Sequence, residues 1–208
     1  MPKTPKVEVV VGPMILAWSN LFEPRKVVPK AQEARYDATF LVEEEAVIQR
    51  IRGASREAAL LKWEERYLGA HISNPMKDGS LMADKAAQKV KAGEAEYDKE
   101  WARGKFVLVA SADLRHPPDV RIAQPDGSNT VATRQEDFYP GICAYAVLAF
   151  MPYEHGSNEG VTAKLQAVLK KADGEPLFGR RDFGDCFTGI KGEVTDEDPL
   201  AEKGATEW

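Results

Sequence analysis

The stretch FYPGICAYAVLAFMPY, Phe138–Tyr153, and the stretch GVTAKLQAVLKK, Gly160–Lys171, together decide the fold predicted from this sequence. The first is apolar almost throughout, as expected of a strand that is covered on both faces. The second alternates between apolar and polar residues, which predicts one buried and one wet face. The predicted buried side carries Val161, Ala163, Leu165, Ala167 and Leu169, and the wet side Thr162, Lys164, Gln166 and Lys170. Turn formers between the two stretches make them a hairpin.

Two strand patterns precede a helical one in the first third of the chain. Lys6–Trp18 is predicted to be a strand that bends at Gly12-Pro13, and a loop is predicted at Asn20–Ala34. Arg35–Val42 alternates, with its even-numbered residues on one face. From Glu43 to about Tyr67, apolar residues recur every three or four positions, which predicts a helix. Its predicted buried stripe is Val47, Ile51, Ala54, Ala58, Leu61 and Trp63.

The middle of the chain adds shorter elements. His71–Gly79 is predicted to be a loop, and the polar, alanine-rich stretch Ala83–Trp101 a solvated helix or a mobile excursion. Lys105–Ser111 and Val120–Ala123 are predicted strands. With five or six strands, one long helix and no βαβ alternation, the chain is predicted to be mostly β with inserted helices, an α+β fold. A small, mostly antiparallel five-stranded barrel of the OB type belongs to this class.

Charge is distributed unevenly along the 208 residues, which carry a net charge of −5. From Gly189 onward six acidic residues face only Lys191 and Lys203, so this segment carries −4 and the remainder about −1. We therefore predict one domain, 1–188, with helical insertions at about 43–103, and a flexible acidic tail, 189–208. A domain with a net charge near zero can still carry local basic patches.

Several function classes have no support in the sequence. The two cysteines, Cys143 and Cys186, form neither a disulfide framework nor a zinc motif, and no phosphate loop, dinucleotide fingerprint or nucleophile elbow is present. Because these motifs are missing, neither a cofactor nor a metal is predicted. No apolar run is long enough for a membrane span, so a cytoplasmic protein is predicted. Carboxylates distant in sequence could still assemble a magnesium site, so a metal-dependent nuclease stays open. A protein-interaction or virion-associated module that does not bind DNA also stays open.

Aromatic and cationic residues remain as candidates for binding. Trp18 and several tyrosines are interleaved with arginines and lysines in strands and loops, a combination that suits single-stranded nucleic acid because bases stack on rings and phosphates attract cations. The predicted DNA-binding residues are the cations Arg35, Lys105, Lys164 and Arg181 and the aromatics Tyr139, Tyr145 and Tyr153. Core packing is the alternative for Tyr145, which lies in the middle of an apolar run.

An ordered set of short motifs resembles one protein family. The motifs are Leu21-Phe22-Glu23-Pro24, Ala38-Thr39-Phe40-Leu41, Trp63, Asp78-Gly79, Tyr139-Pro140-Gly141, Gly160-Val161, Leu165-Gln166-Ala167-Val168 and Gly174-Glu175-Pro176-Leu177. In this order, over roughly Val7 to Phe187, they resemble the phage single-stranded DNA-binding proteins of the Enc34 type, a former domain of unknown function. Only Ala83–Arg103 departs, being longer and more charged than the family pattern.

The resemblance implies an OB-fold core, related to the single-stranded DNA-binding protein of T7-like phages. Such a protein would coat and protect single strands without strong sequence preference during phage DNA replication and recombination. It also implies that the acidic tail, with Asp196, Glu197, Asp198 and Trp208, contacts replication partners such as a polymerase or helicase. From its charge we further predict that the tail modulates DNA binding; a solvated tail that only aids solubility is the alternative. Formation of a homo-oligomer is left open.

Overall fold

Strands dominate the structure, a computed structural model that describes residues 5–26, 33–64, 72–94, 98–156 and 158–178. The strands, in chain order, are β1 (Val7–Arg25), β2 (Arg35–Val42), β3 (Met76–Asp78), β4 (Phe106–Ala112), β5 (Asp119–Ala123), β6 (Asn129–Val131), β7 (Cys143–His155) and β8 (Asn158–Ala172). The helices are α1 (Glu45–Trp63), α2 (Gly79–Lys91) and two short 3-10 helices, Glu100–Ala102 and Gln135–Phe138.

Five of these strands close into a barrel. The order along the sheet is β3-β4-β2-β1-β7-β8-β5-β6, and an additional pairing of β4 with β8 joins the two sides. Four of the five pairings are antiparallel, whereas β4 and β8 run in the same direction. The predicted class, mostly β with inserted helices around an OB-type barrel, is confirmed; the closed barrel is mixed because of the β4–β8 pair.

The core lies inside the barrel and beneath α1. On β2 the even-numbered Ala38, Phe40 and Val42 are fully buried, as their alternation predicts. Helix α1 packs against β1 and β7 and buries Ile51 and Ala58 completely. The helix is shorter than predicted, and Leu61, assigned to its buried stripe, is 52% exposed. The stripe instead turns through Ser55 and Ala59 to Trp63.

An extra residue in β8 reverses its predicted alternation. Leu165 pairs with Leu148 and Ala167 with Val147, so that Gln166 is the unpaired residue of a bulge. Beyond it Val168 and Lys170 turn inward, and Ala167 and Leu169 turn outward. The prediction that Lys170 lies on the wet face is therefore wrong. Its side chain is 10% exposed, and its ammonium group lies 2.7 Å from Asp173 Oδ1.

Three other element limits differ from the prediction. β1 continues to Arg25 through the first part of the predicted loop, because it pairs with β2. The long apolar strand begins at Cys143 rather than Phe138, since Tyr139-Pro140-Gly141 breaks the chain before it. The predicted loop before α2 contains β3, whose Asp78 caps the helix by accepting hydrogen bonds from the N–H groups of Ser80 and Leu81.

The chain leaving β8 crosses the turn that precedes β7. We call residues 173–178 the strap. A Cβ atom on Gly174 would lie 2.1 Å from the carbonyl oxygen of Gly141, and one on Gly141 would lie 2.1 Å from that of Glu175. The N–H of Leu177 donates a hydrogen bond to Pro140 O at 3.1 Å. The two segments thus pack backbone to backbone, which only glycine permits here. The predicted domain limit at residue 188 lies outside the described residues.

We predict opposite effects for two glycine substitutions. Gly141→Ala should destabilise the fold by about 2 kcal/mol or more, because its φ is +120° and the new Cβ would meet a carbonyl oxygen. Gly53→Ala, in α1 with nothing near the added atom, should stabilise it by about 0.5–1 kcal/mol. Urea unfolding followed by tryptophan fluorescence measures both. Equal stability of Gly141→Ala and the parent protein would contradict the packing of the strap.

Candidate nucleic-acid interface

An open groove of about 680 Å³ lies on the outer surface of the barrel, where β1, β2 and β4 are neighbours. Thr39, Val107 and Val109 form its strand surface, and residues from the α2–β4 connection and from the strap stand beside it. We call it the aromatic groove. It is lined by Trp18, Arg25, Thr39, Met82, Asp98, Lys99, Trp101, Val107, Val109 and Phe178.

A bulge in β1 turns Trp18 toward this groove. Leu16 pairs with Phe40, and Trp18 pairs with Thr39, so Ala17 is an extra residue between them. In a regular register, with Ala17 opposite Thr39, Trp18 would stand opposite Ala38, a buried core position. Instead its ring lies outside the barrel and is 43% exposed, whereas Leu16 and Ala17 are fully buried. The register shift at the bulge therefore keeps Leu16 on the inner face and Trp18 on the outer face.

Three aromatic rings meet at one side of the groove. The rings of Trp18 and Phe178 are stacked, with centroids 4.4 Å apart and an angle of 26° between their planes. Trp101 contacts both rings edge-on, at 6.4 Å from each. Stacked and edge-to-face pairs are the favoured geometries for aromatic rings. These ring contacts therefore stabilise the cluster in the absence of a ligand.

The segment between α2 and β4 forms one wall of the groove. Ala102 is fully buried in a small outer cluster with Ala17, Leu41 and Val107, and Trp101 and Met82 pack against that cluster. Arg103 ties the wall together through ion pairs with Asp84, at 2.9 Å, and with Glu100. These contacts raise the pKa of Arg103 further, first through the hydrogen bond to Glu100. The helix predicted within Ala83–Trp101 is therefore a structural part of the site.

Two cations and one acid line the groove. Arg25 lies 3.7 Å from Asp37 Oδ1, which also accepts a hydrogen bond from Asn20 at 2.8 Å. Lys99 neighbours Asp98 on the opposite wall. The Arg25 side chain is 58% exposed, so most of its guanidinium surface can meet an anion.

Of the predicted DNA-binding residues, Arg35 is nearest to this groove by register. It pairs with Arg25 across β1 and β2, and directly opposed residues of an antiparallel pair share a face. Arg35 is exposed and does not line the groove itself, but its pairing places a second cation beside Arg25 at that end. Lys105 precedes β4 at the other end of the strand and forms an ion pair with Glu43. Its charge is therefore partly compensated.

Three predicted residues lie elsewhere on the outer surface. Tyr145 projects from β7 over Gly12, where an added Cβ would come within 2.6 Å of its ring, and Lys171 Nζ lies 5.6 Å from the ring centre. Tyr153 covers Gly160 in the same way at the β7–β8 hairpin. Lys164 is paired with Ser111 and lines a second groove, of about 480 Å³, with Lys6, Asp113, His116 and Gln166. The structure does not bring these residues into the aromatic groove.

Tyr139 has a different environment from the other tyrosines. Its hydroxyl lies 3.1 Å from Asp173 Oδ1 and 3.0 Å from the Gly174 carbonyl oxygen, and it accepts a hydrogen bond from the Gly174 N–H at 3.2 Å. Lys170 Nζ lies 5.5 Å from the ring centre. Hydrogen bonds from Lys170 and then Tyr139 hold the pKa of Asp173 below its usual value. Tyr139 thus contacts the strap.

Some predicted residues lie outside the described part of the chain, and several groove residues, among them Lys99, Trp101 and Phe178, were not predicted. Arg181, Asp196, Glu197, Asp198 and Trp208 lie outside the described residues. Trp18 was among the predicted aromatic candidates, whereas Trp101 and Phe178 were not. Their signal in the sequence was only that each is a large aromatic residue in a polar stretch, and such residues are buried or exposed according to tertiary contacts.

A family comparison gives the chain its place among known proteins. The family model described as "Enterobacter phage Enc34, ssDNA-binding protein" matches residues 7–200, nearly the whole chain. The chain belongs to this family. The match includes β1 to β8 and the aromatic groove, and it also extends past the strap. Among curated proteins, none is significantly similar to this member of the family in sequence.

Solved structures of the protein from bacteriophage Enc34 have the same fold. Its complex with ssDNA is 21% identical to this family member, with a TM-score of 0.58, covering 83% of this chain and 89% of that chain. A C-terminal truncation of the same phage protein is 19% identical, with a TM-score of 0.57, covering 81% and 87% of the two chains. At these identities the likeness shows the fold.

The described residues contain no candidate metal centre and no membrane-crossing helix. Among them, no group of three or more His, Cys, Asp and Glu side chains is placed to hold a metal ion. In the same part of the chain, no helix has the length and apolar character needed to cross a bilayer. What the aromatic groove presents is exposed ring surface next to exposed cations, the combination that binds unpaired bases and phosphates.

Acid should weaken the contact between Asp173 and its partners. Because its pKa is lowered in the folded protein, the carboxylate stabilises the fold above its usual pKa of about 3.9. That contribution is lost as the pH falls through the lower folded-state value. We expect the free energies of unfolding of the parent protein and Asp173→Asn to differ at pH 7 and to converge on acidification below about pH 4. A difference independent of pH would show that the charge contributes nothing.

Proposed function

We propose that this protein binds single-stranded DNA without strong sequence preference and coats and protects it. The observation that carries the proposal is the position of the aromatic groove. β2 and β4 are the second and third strands of the barrel in chain order, and OB-folds bind oligonucleotides on the face of these two strands. The Enc34 relative, in the same fold, is described as a complex with ssDNA.

Stacking and charge have separate tasks in this mechanism. Trp18 is exposed and Trp101 is partly exposed, and any base can stack on a free ring face because every base has a π face. Arg25 and Arg35 at one end, and Lys99 on the wall, contact the phosphates between successive bases. In a duplex the faces of the bases are already stacked on one another. The groove therefore favours single strands over the matching duplex.

The near-neutral charge of the domain makes the rings essential. With a net charge of −5 over 208 residues, this chain lacks the general positive field of a protein that binds DNA by charge alone. Affinity must come from a few local cations and from stacking. Binding is then expected to fall with salt, but with a modest slope that reflects few phosphate contacts.

Trp18→Ala should weaken binding to a fluorescent dT oligonucleotide by about 1–3 kcal/mol, because one stacking surface is lost. Arg25→Ala should lower the slope of log affinity against log salt by about 1, because one phosphate contact is lost. Fluorescence anisotropy over a salt series measures both, with the matching duplex in parallel. Val131→Ala and Arg134→Ala, exposed residues outside the groove, are the matched controls.

The same titration tests the second outer surface. Tyr145, Tyr153 and Lys164 stay a prediction for an extended DNA path across β7 and β8. If Tyr145→Ala and Lys164→Ala bind like the parent protein, this path is wrong. Unchanged affinity of Trp18→Ala would contradict the aromatic groove. Cleavage of the labelled strand in magnesium would indicate a nuclease instead, and failure to bind at any salt concentration a protein-interaction module.

We further propose a role in phage DNA replication and recombination, with the acidic tail as the regulatory and partner-binding part. The final segment, 189–208, concentrates six acids and ends in Trp208. Negative charge of this density occupies Arg25, Lys99 and Arg35 when DNA is absent, and so must be displaced by phosphates when DNA binds. A large aromatic residue in a polar, acidic stretch, such as Trp208, suits docking into a pocket of a polymerase or helicase.

Deletion of residues 189–208 should tighten binding to the dT oligonucleotide, because the competing charges are removed. The gain should be largest at low salt and shrink as the ionic strength rises, since exposed charges are screened beyond about 10 Å at 0.1 M. A variant with the six tail acids changed to their amides, but with Trp208 kept, separates charge from the aromatic end. Unchanged or weaker binding after deletion would contradict competition by the tail.

A further inference from the structure

The strap connects Tyr139 to the aromatic groove. We propose that Tyr139 and Phe178 are positioning residues for single-stranded DNA, which fix the Trp18 ring in the orientation that accepts a base. This inference rests on the proposed function and deepens it. It gives Tyr139 a task that differs from direct stacking, and it gives Phe178, which carries no assigned role, a place in the site.

The anchor of the strap is the hydroxyl of Tyr139. It stands at hydrogen-bond distance from three groups of the chain leaving β8: Asp173 Oδ1, the Gly174 carbonyl oxygen and the Gly174 N–H. Lys170, buried by the bulge in β8, adds an ion pair to Asp173 at 2.7 Å. The phenol oxygen accepts from the Gly174 N–H, and its one proton is shared between two acceptors, Asp173 Oδ1 and the Gly174 carbonyl oxygen. Removal of its oxygen would leave these half-buried groups without their partner.

The path from the anchor to the groove is short and constrained. Gly174 and Gly141 touch through their backbones, and the Leu177 N–H donates to the Pro140 carbonyl oxygen three residues further along the strap. Leu177 also packs against the outer cluster that contains Ala17. Phe178 is the next residue. Its position over Trp18 is therefore set by two kinds of contact made by the preceding strap residues, those with the turn before β7 and those with the outer cluster.

The stack of Phe178 on Trp18 leaves part of the tryptophan surface available. Phe178 covers one face at 4.4 Å, yet 43% of Trp18 stays exposed. An unsupported surface tryptophan would lose rotamer freedom when a base binds, which costs about 0.5–1.5 kcal/mol for an immobilised side chain, or about two- to tenfold in affinity. Phe178, with Trp101 at the edge, removes this cost in advance.

If Phe178 blocked the binding surface of Trp18, its removal would change DNA affinity in the opposite direction. If its ring occupied the place of a base, removal would free the face of Trp18 and tighten DNA binding. If it orients Trp18, removal should weaken binding while the number of phosphate contacts, and hence the salt slope, stays the same. The sign of one affinity change therefore distinguishes a supporting ring from a blocking one.

The test measures binding of the full-length protein to the dT oligonucleotide by anisotropy. We expect Phe178→Ala and Tyr139→Phe to weaken binding by about two- to tenfold with an unchanged salt slope, and Phe178→Tyr to restore it. Tyr36→Phe, which also loses only a hydroxyl but on the core side of β2, is the matched control and should bind like the parent protein. Thermal unfolding confirms that each variant is folded at the assay temperature.

A double-mutant comparison separates this inference from the proposed function. In a Trp18→Ala background, Phe178→Ala should have no further effect, because the ring that it orients is absent. If Trp18→Ala itself binds normally, the aromatic groove fails and the inference fails with it. If Trp18→Ala weakens binding but Phe178→Ala equals the parent or binds more tightly, the positioning role alone is overturned. An equal loss from Phe178→Ala in both backgrounds would also overturn it.

Discussion

The unpaired Ala17 in β1 is the constraint on which the rest of the site depends. The bulge keeps Leu16 inside the barrel and places Trp18 outside it, opposite Thr39. A side chain of this size on the outer surface needs support, and the α2–β4 connection and the strap supply it from distant parts of the sequence. The second bulge, at Gln166, acts likewise on β8 and directs Lys170 inward to the strap anchor. Extra residues that re-aim side chains are typical of strands beside functional sites.

The site combines local attraction with a chain that is acidic overall. Arg25 and Arg35 concentrate positive charge at one end of a groove whose strand surface is apolar, while most of the negative charge of the chain is in its last twenty residues. Stacking energy does not depend on salt as phosphate contacts do, so a groove with three rings can bind when its cations are few. This division also explains how a chain with a net charge of −5 can carry a local cationic site.

Much of the fold followed from the sequence, because alternation and turn chemistry are local. The limits of Arg35–Val42 were predicted to the residue, and the turn formers after Tyr153 correctly placed the β7–β8 hairpin. The predictions failed where contacts between distant parts of the chain determine which way a side chain points. A bulge at Gln166 reversed the outward face of β8, and Lys170 was misplaced with it. Trp101 and Phe178 meet Trp18 from far along the chain, a proximity that no local pattern encodes.

Photochemical cross-linking tests the central claim most directly, namely that single strands lie along the aromatic groove. A dT oligonucleotide carrying a photoreactive thymine analogue would be irradiated in complex with the full-length protein, and the adducts located by peptide mass spectrometry. We predict adducts on Trp18 and Trp101, lost in excess unlabelled dT and kept in excess duplex. Adducts confined to Tyr145 and Tyr153 on β7, with none on β1 or the α2–β4 connection, would contradict this claim.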